Sequence, residues 1–110
     1  MTNEFVHKWS SQLKKGTLSF IVLNVLKDAE YYGYELIEKI KHDTKIEIAE
    51  GTFYPLMNRL KKEELVASNW VEQASGIPRK YYQLTEHGEA TLVEMKDYWI
   101  SMSETIQKLF

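Results

Sequence analysis

A chain of 110 residues, 44% hydrophobic and 27% charged, can bury one modest core and has the composition of a globular rather than a disordered protein. It has no cysteine, which excludes a disulfide framework and a zinc–thiolate site, and no apolar run approaches the ~20 residues that span a bilayer. The net charge of −2 is unevenly spread: residues 51–85 hold five basic and three acidic groups, residues 86–110 two and five. A footprint on nucleic acid needs a local basic face rather than a basic total, so this pattern permits such a partner without establishing it. The first residues lack the apolar block of a signal peptide, and a soluble, cytoplasmic protein away from membranes is expected.

In chain order, Phe5, Trp9 and Leu13 stand four apart and predict an amphipathic helical start. From Gly16 the stripe widens through Leu18, Ile21, Val22, Val25 and Leu26, with Phe20 and Leu23 extending it, as in a core helix. One helix over 4–27 is expected, closed by Asp28-Ala29. Tyr32, Leu36, Ile37 and Ile40 then fit a short helix ending near His42-Asp43, with Tyr31, Tyr32 and Tyr34 packing at its start. Lys45-Ile46-Glu47-Ile48 alternates polar and apolar, predicting a brief strand.

The most informative stretch is Glu50 to Val66. Phe53, Leu56, Met57 and Leu60 fall at i, i+3, i+4 and i+7, the spacing of one buried helical stripe. The other face presents Thr52, Tyr54, Pro55, Asn58, Arg59 and Lys62, side chains that donate hydrogen bonds, stack or carry charge. Pro55 has no N–H and should distort the ladder unless it lies in the first turn. Residues 66–73 and 79–84 are rich in β-branched and aromatic side chains, with the breakers Gly76 and Pro78 between them, and predict a β-hairpin. Thr85 is a good N-cap for a last helix. Along that helix Leu92, Met95, Trp99, Met102, Ile106 and Leu109 keep 3-4-3-4-3 spacing, a heptad seam. A single small domain has no further core for such a seam, so dimerisation through it, joined by Phe5 and Trp9, is expected. The predicted class is mainly α with a small β-hairpin wing: a winged helix-turn-helix over 1–85, completed by a dimerisation helix over 86–110 in the same compact unit.

These residues resemble the PadR family of bacterial transcriptional regulators, in its small form without a large C-terminal domain. The resemblance lies in Lys15-Gly16-Thr17-Leu18, Tyr32-Gly33-Tyr34-Glu35-Leu36, Glu50 through Leu56 with Arg59-Leu60, and Gly76 with Pro78-Arg79-Lys80-Tyr81-Tyr82, Leu84-Thr85 and Gly88. These run in the family's order over about two-thirds of the chain. The resemblance implies a homodimeric repressor of double-stranded DNA operators, often for efflux or stress-response genes, whose last helix contacts the partner subunit. It also implies, for some members, a flat aromatic ligand near a tryptophan at the position of Trp99. The chain departs from the family pattern twice. Glu64 stands where a glycine usually ends the third helix, so that helix is expected to end differently or run slightly longer. Ile77 replaces a basic residue in the wing, removing one expected phosphate contact.

Chemistry assigns provisional roles. Asn58 and Arg59 suit base edges in a major groove, while Thr52, Lys62, Arg79 and Lys80 suit phosphates and Tyr54 suits either stacking or a hydroxyl contact. The plain alternative is a solvated helix face and a solubilised strand edge. Trp9 and Trp99 would either frame a flat slot for a planar aromatic ligand across the dimer or fill its core. His7, His42 and His87 are isolated, and no phosphate-binding loop or nucleophile elbow occurs, so no catalytic residue, metal site or cofactor is expected. A winged helix that docks another protein is the rival to DNA binding.

Overall fold

The computed structural model describes residues 3–110; Met1 and Thr2, at the head of the expected DNA-binding unit, lie outside that range. The order is α1 (Glu4–Leu26), β1 (Tyr31–Tyr32), α2 (Gly33–Thr44), α3 (Glu50–Lys62), β2 (Val66–Val71), β3 (Arg79–Leu84) and α4 (Glu86–Gln107). The three strands form one antiparallel sheet in the order β1-β3-β2. Four helices, a hairpin and a short third strand make a winged helix.

The α1 helix begins at Asn3, whose side-chain oxygen accepts from the Phe5 N–H at 2.8 Å, and it runs unbroken through Gly16. Its buried residues are Leu18, Val22, Leu23 and Leu26, all in the second half. The core continues through Leu36 and Ile40 of α2, Phe53, Leu56, Met57 and Leu60 of α3, Val66, Tyr82 and Leu92. The i, i+3, i+4, i+7 stripe of α3 is therefore the buried face. Truncating a fully enclosed aromatic such as Phe53 to Ala costs about 3–5 kcal/mol. Against a total of about 5–15 kcal/mol for a small domain, that variant would report unfolding rather than any lost surface contact.

The structure corrects several sequence expectations. Residues 45–48 form no strand. Ile48 is buried and Ile46 half-buried, so the alternation is real, but among the described residues no strand pairs with them. Lys45 instead takes a left-handed conformation (φ 65°) that ends α2. The third strand is Tyr31–Tyr32, paired with Tyr82 and Tyr81. Tyr32 thus belongs to the sheet rather than to the stripe of α2, and Tyr34 is exposed rather than packed. The hairpin's first strand stops at Val71, and α1 stops at Leu26 with Lys27 as its C-cap. Pro55 sits past the first turn, yet α3 runs through it from Glu50 to Lys62. The carbonyl deprived of a partner belongs to Gly51, which is exposed and open to water.

The end of α3 keeps the glycine-type geometry without the glycine. Glu64 has φ 61°; its N–H bonds the Lys61 carbonyl at 2.9 Å, and the Leu65 N–H bonds the Leu60 carbonyl at 3.0 Å, a complete Schellman motif. The next segment locks onto this turn. The Thr85 hydroxyl donates to the Glu64 carbonyl at 2.6 Å and accepts from the Gly88 N–H at 2.9 Å, while the Thr85 N–H bonds the Leu65 carbonyl at 3.1 Å. Gly88 is buried against the Leu65 carbonyl oxygen, where a Cβ has no room. Because the Glu64 side chain is exposed, Glu64→Gly removes only the left-handed penalty. It should raise the unfolding free energy by about 0.5–1 kcal/mol, read as a higher urea midpoint at unchanged slope; an unchanged or lower midpoint would contradict the strain.

Candidate nucleic-acid interface

The surface of α3 divides into two stripes. Thr52, Pro55, Arg59 and Lys62, spaced 3-4-3, face outward and are exposed. Tyr54, Asn58 and Lys61, spaced 4-3, turn toward the hairpin. Phe53 meets the buried Tyr82 of β3 edge-to-face, ring centroids 6.3 Å apart, and this contact sets the helix against the sheet.

Between the wing-side stripe, the first turn of α2 and the hairpin lies a groove of about 430 Å³. Its lining is Tyr32, Gly33, Tyr34, Tyr54, Asn58, Trp70, Arg79, Lys80 and Tyr82. Two cations, four phenols, an amide and an indole N–H line it, and no carboxylate does. The Tyr54 ring lies over Gly33, and a Cβ added there would stand 2.7 Å from the phenol oxygen. The Arg79 guanidinium rests 4.4 Å from the centroid of Tyr32, and the Lys80 ammonium 5.7 Å from that of Trp70. As expected for adjacent strand residues, the two point to opposite faces of β3, yet both line this groove. Burial pushes the Lys80 pKa below its ordinary value, and the neighbouring Lys61 ammonium adds to that. Burial, with Tyr54 nearby, raises that of the Tyr82 phenol.

Of the expected DNA-facing residues, the structure brings Tyr54, Asn58, Arg79 and Lys80 together in this groove. It leaves Arg59, Lys62 and Pro55 on the outward stripe, and puts Thr52 beside a separate hollow lined by Lys14 and Lys15. Sequence reasoning missed Tyr34, Lys61 and Trp70, and assigned Tyr32 to helix-start packing, with a phosphate contact by its hydroxyl as the lesser alternative. The 54-58-61 spacing was the available signal for Lys61; the exposure of Trp70, 66%, is visible only in the structure.

The expected dimerisation residues split in two. Leu92 is only 6% exposed and Met95 packs against the core, so both are engaged within the chain. Phe5, Trp9, Met102, Ile106 and Leu109 are exposed. Trp99 lies between these sets, its ring 5.8 Å from Phe20 of α1 and still 38% exposed. Beside it, Gly16, Phe20, Met95, Tyr98 and Met102 help line an apolar hollow of about 270 Å³, which Trp9 does not reach. Among the described residues no cluster of His, Cys, Asp or Glu could hold a metal, and no helix is long and apolar enough to cross a membrane.

The close approach of Tyr54 to Gly33 is testable. In a double-mutant cycle read by urea unfolding, Gly33→Ala and Tyr54→Phe should couple by roughly 0.5 kcal/mol or more, because the added methyl meets the phenol oxygen first. Additive effects would show that the two positions do not touch.

Comparison with known proteins agrees with this architecture. The model of the transcriptional regulator PadR-like family matches residues 22–94. A PadR family transcriptional regulator from Eggerthella lenta is 37% identical, with a TM-score of 0.86 over 96% of this chain and 92% of its own. A PadR-like transcriptional regulator from Bacillus cereus is 36% identical, with a TM-score of 0.79 over 89% of this chain and 95% of its own. An uncharacterised protein of Lysinibacillus sphaericus is 33% identical over 98 residues, 87% of this chain and 90% of that protein. The chain therefore belongs to the PadR-like family, whose members are transcriptional regulators and not enzymes.

Proposed function

We propose that the chain is a homodimeric, sequence-specific DNA-binding repressor acting in the cytoplasm. One observation carries the reading: a groove lined by donors and free of carboxylates runs beside the exposed polar stripe of α3. In this reading Asn58 and Arg59 meet base edges in the major groove. Thr52, Tyr54, Lys62, Arg79 and Lys80 hold phosphates and fix the register, and Pro55 faces the DNA without a donor of its own. Residues 1–85 supply the reading head and residues 86–110 the pairing helix.

The exposed face of Phe5, Trp9, Met102, Ile106 and Leu109 supports pairing, because a monomer would leave a contiguous apolar patch in water. A two-fold dimer presents its two α3 helices about 34 Å apart, or a multiple of that, in successive major grooves. The hollow beside Trp99 and Phe20 suits a planar aromatic effector. Such a ligand would release the DNA by favouring a spacing of the two heads that the operator does not match.

Fluorescence anisotropy with duplex DNA from upstream of the protein's own gene tests the first part. Affinity should fall steeply with salt as counterions are released, and Arg59→Ala should weaken it roughly tenfold or more. Absence of binding at low salt would point instead to a winged helix that docks another protein. For the dimer, Ile106→Glu should shift the protein to monomer in sedimentation velocity without loss of helical signal. A wild-type monomer at micromolar concentration would refute the pairing.

A further inference from the structure

We infer that Lys61 and Lys80 together clamp one DNA phosphate where the last turn of α3 passes the return strand of the hairpin, with the Trp70 ring as the wall of the clamp. The inference rests on the DNA-binding reading. Lys61 does not belong to the outward stripe; it follows Tyr54 and Asn58 on the stripe turned toward the wing. Lys80 reaches the same place from the sheet. It shares its strand face with Tyr82, which is buried against Phe53 of α3, and it sits opposite Trp70 in the β2–β3 register. Neither ammonium has an acidic partner: among the described residues the ion pairs are Lys8–Glu4, Lys39–Asp43, Lys41–Glu47 and His42–Asp43.

Two like charges turned toward one point repel each other until an anion lies between them. The depressed pKa of Lys80, from burial and from Lys61, agrees with such a convergence. The chemistry selects a phosphate rather than a base edge, because an ammonium is a point charge without the planar fork that reads guanine. The carboxylate-free groove beside it continues the same surface with the hydroxyl of Tyr54 and the amide of Asn58.

The test uses the full chain with Lys61→Ala, Lys80→Ala, the double variant, and Lys61→Arg with Lys80→Arg as charge-conserving controls. Anisotropy is measured across a salt series on the upstream duplex and on a random-sequence duplex of equal length. A phosphate clamp predicts equal proportional losses on both duplexes. The salt slope of the double variant should fall by roughly 0.9 per bound subunit, and the arginine variants should stay near wild type. An unchanged slope, or a loss confined to the upstream duplex, overturns the clamp. If Arg59→Ala weakens binding and the lysine variants do not, only the clamp falls; if the wild type binds neither duplex, the DNA reading falls first.

Discussion

The edge-to-face contact between Phe53 and Tyr82 is the constraint on which the rest depends. Both rings are essentially removed from water, and they come from the N-terminal part of α3 and the middle strand of the sheet. Because β3 pairs on both sides, one buried ring ties the helix to the hairpin and to the β1 strand that leads into α2. With that contact in place, the rotation of α3 about its axis is decided. Tyr54 must lie over Gly33, and Lys61 must face the return strand of the wing. The burial that removes Tyr82 from water also raises its phenol pKa above the ordinary tyrosine value, with Tyr54 adding to the effect.

The parts of this design legible in the sequence follow from periodicity. The α3 stripe, the hairpin connection with its breakers Gly76 and Pro78, and the Thr85 cap are local signals, each set by residues close in sequence. What was illegible needed a neighbour. Residues 45–48 alternate like a strand, but a strand also needs an edge to pair with, and β3 gives its free edge to Tyr31–Tyr32. Glu64 adopts a glycine's conformation in a turn closed by its own backbone bonds, and Thr85, twenty-one residues later, bonds its carbonyl. Lys61 reads as a solvated lysine until the strand carrying Lys80 is set beside it.

The α1–α4 layer shows how one repeating pattern can serve two ends. A heptad seam gives no indication of where a chain's own core stops. Leu92 and Met95 turn inward against α1, and Trp99 forms the boundary through its contact with Phe20. Beyond it the same spacing continues through Met102, Ile106 and Leu109, each exposed among the described residues. The aromatic boundary and the adjacent hollow therefore fall where a core made by one chain would give way to one made by two in the proposed dimer.

The junction at Gly88 has a mechanical consequence. Its backbone lies hard against the Leu65 carbonyl just past the turn that ends α3, and the Thr85 hydroxyl donates to the Glu64 carbonyl of that turn while accepting from the Gly88 N–H of α4, so the joint has little torsional play. A helix of 22 residues is roughly 33 Å long, so each degree of tilt at the joint displaces its far end by roughly 0.6 Å. Helix α4 is thus rooted beside α3 at one end and braced on α1 through Trp99 and Phe20 along its length, so in the proposed dimer a displacement near residue 107 would bear on α3 through a fixed joint rather than through a hinge.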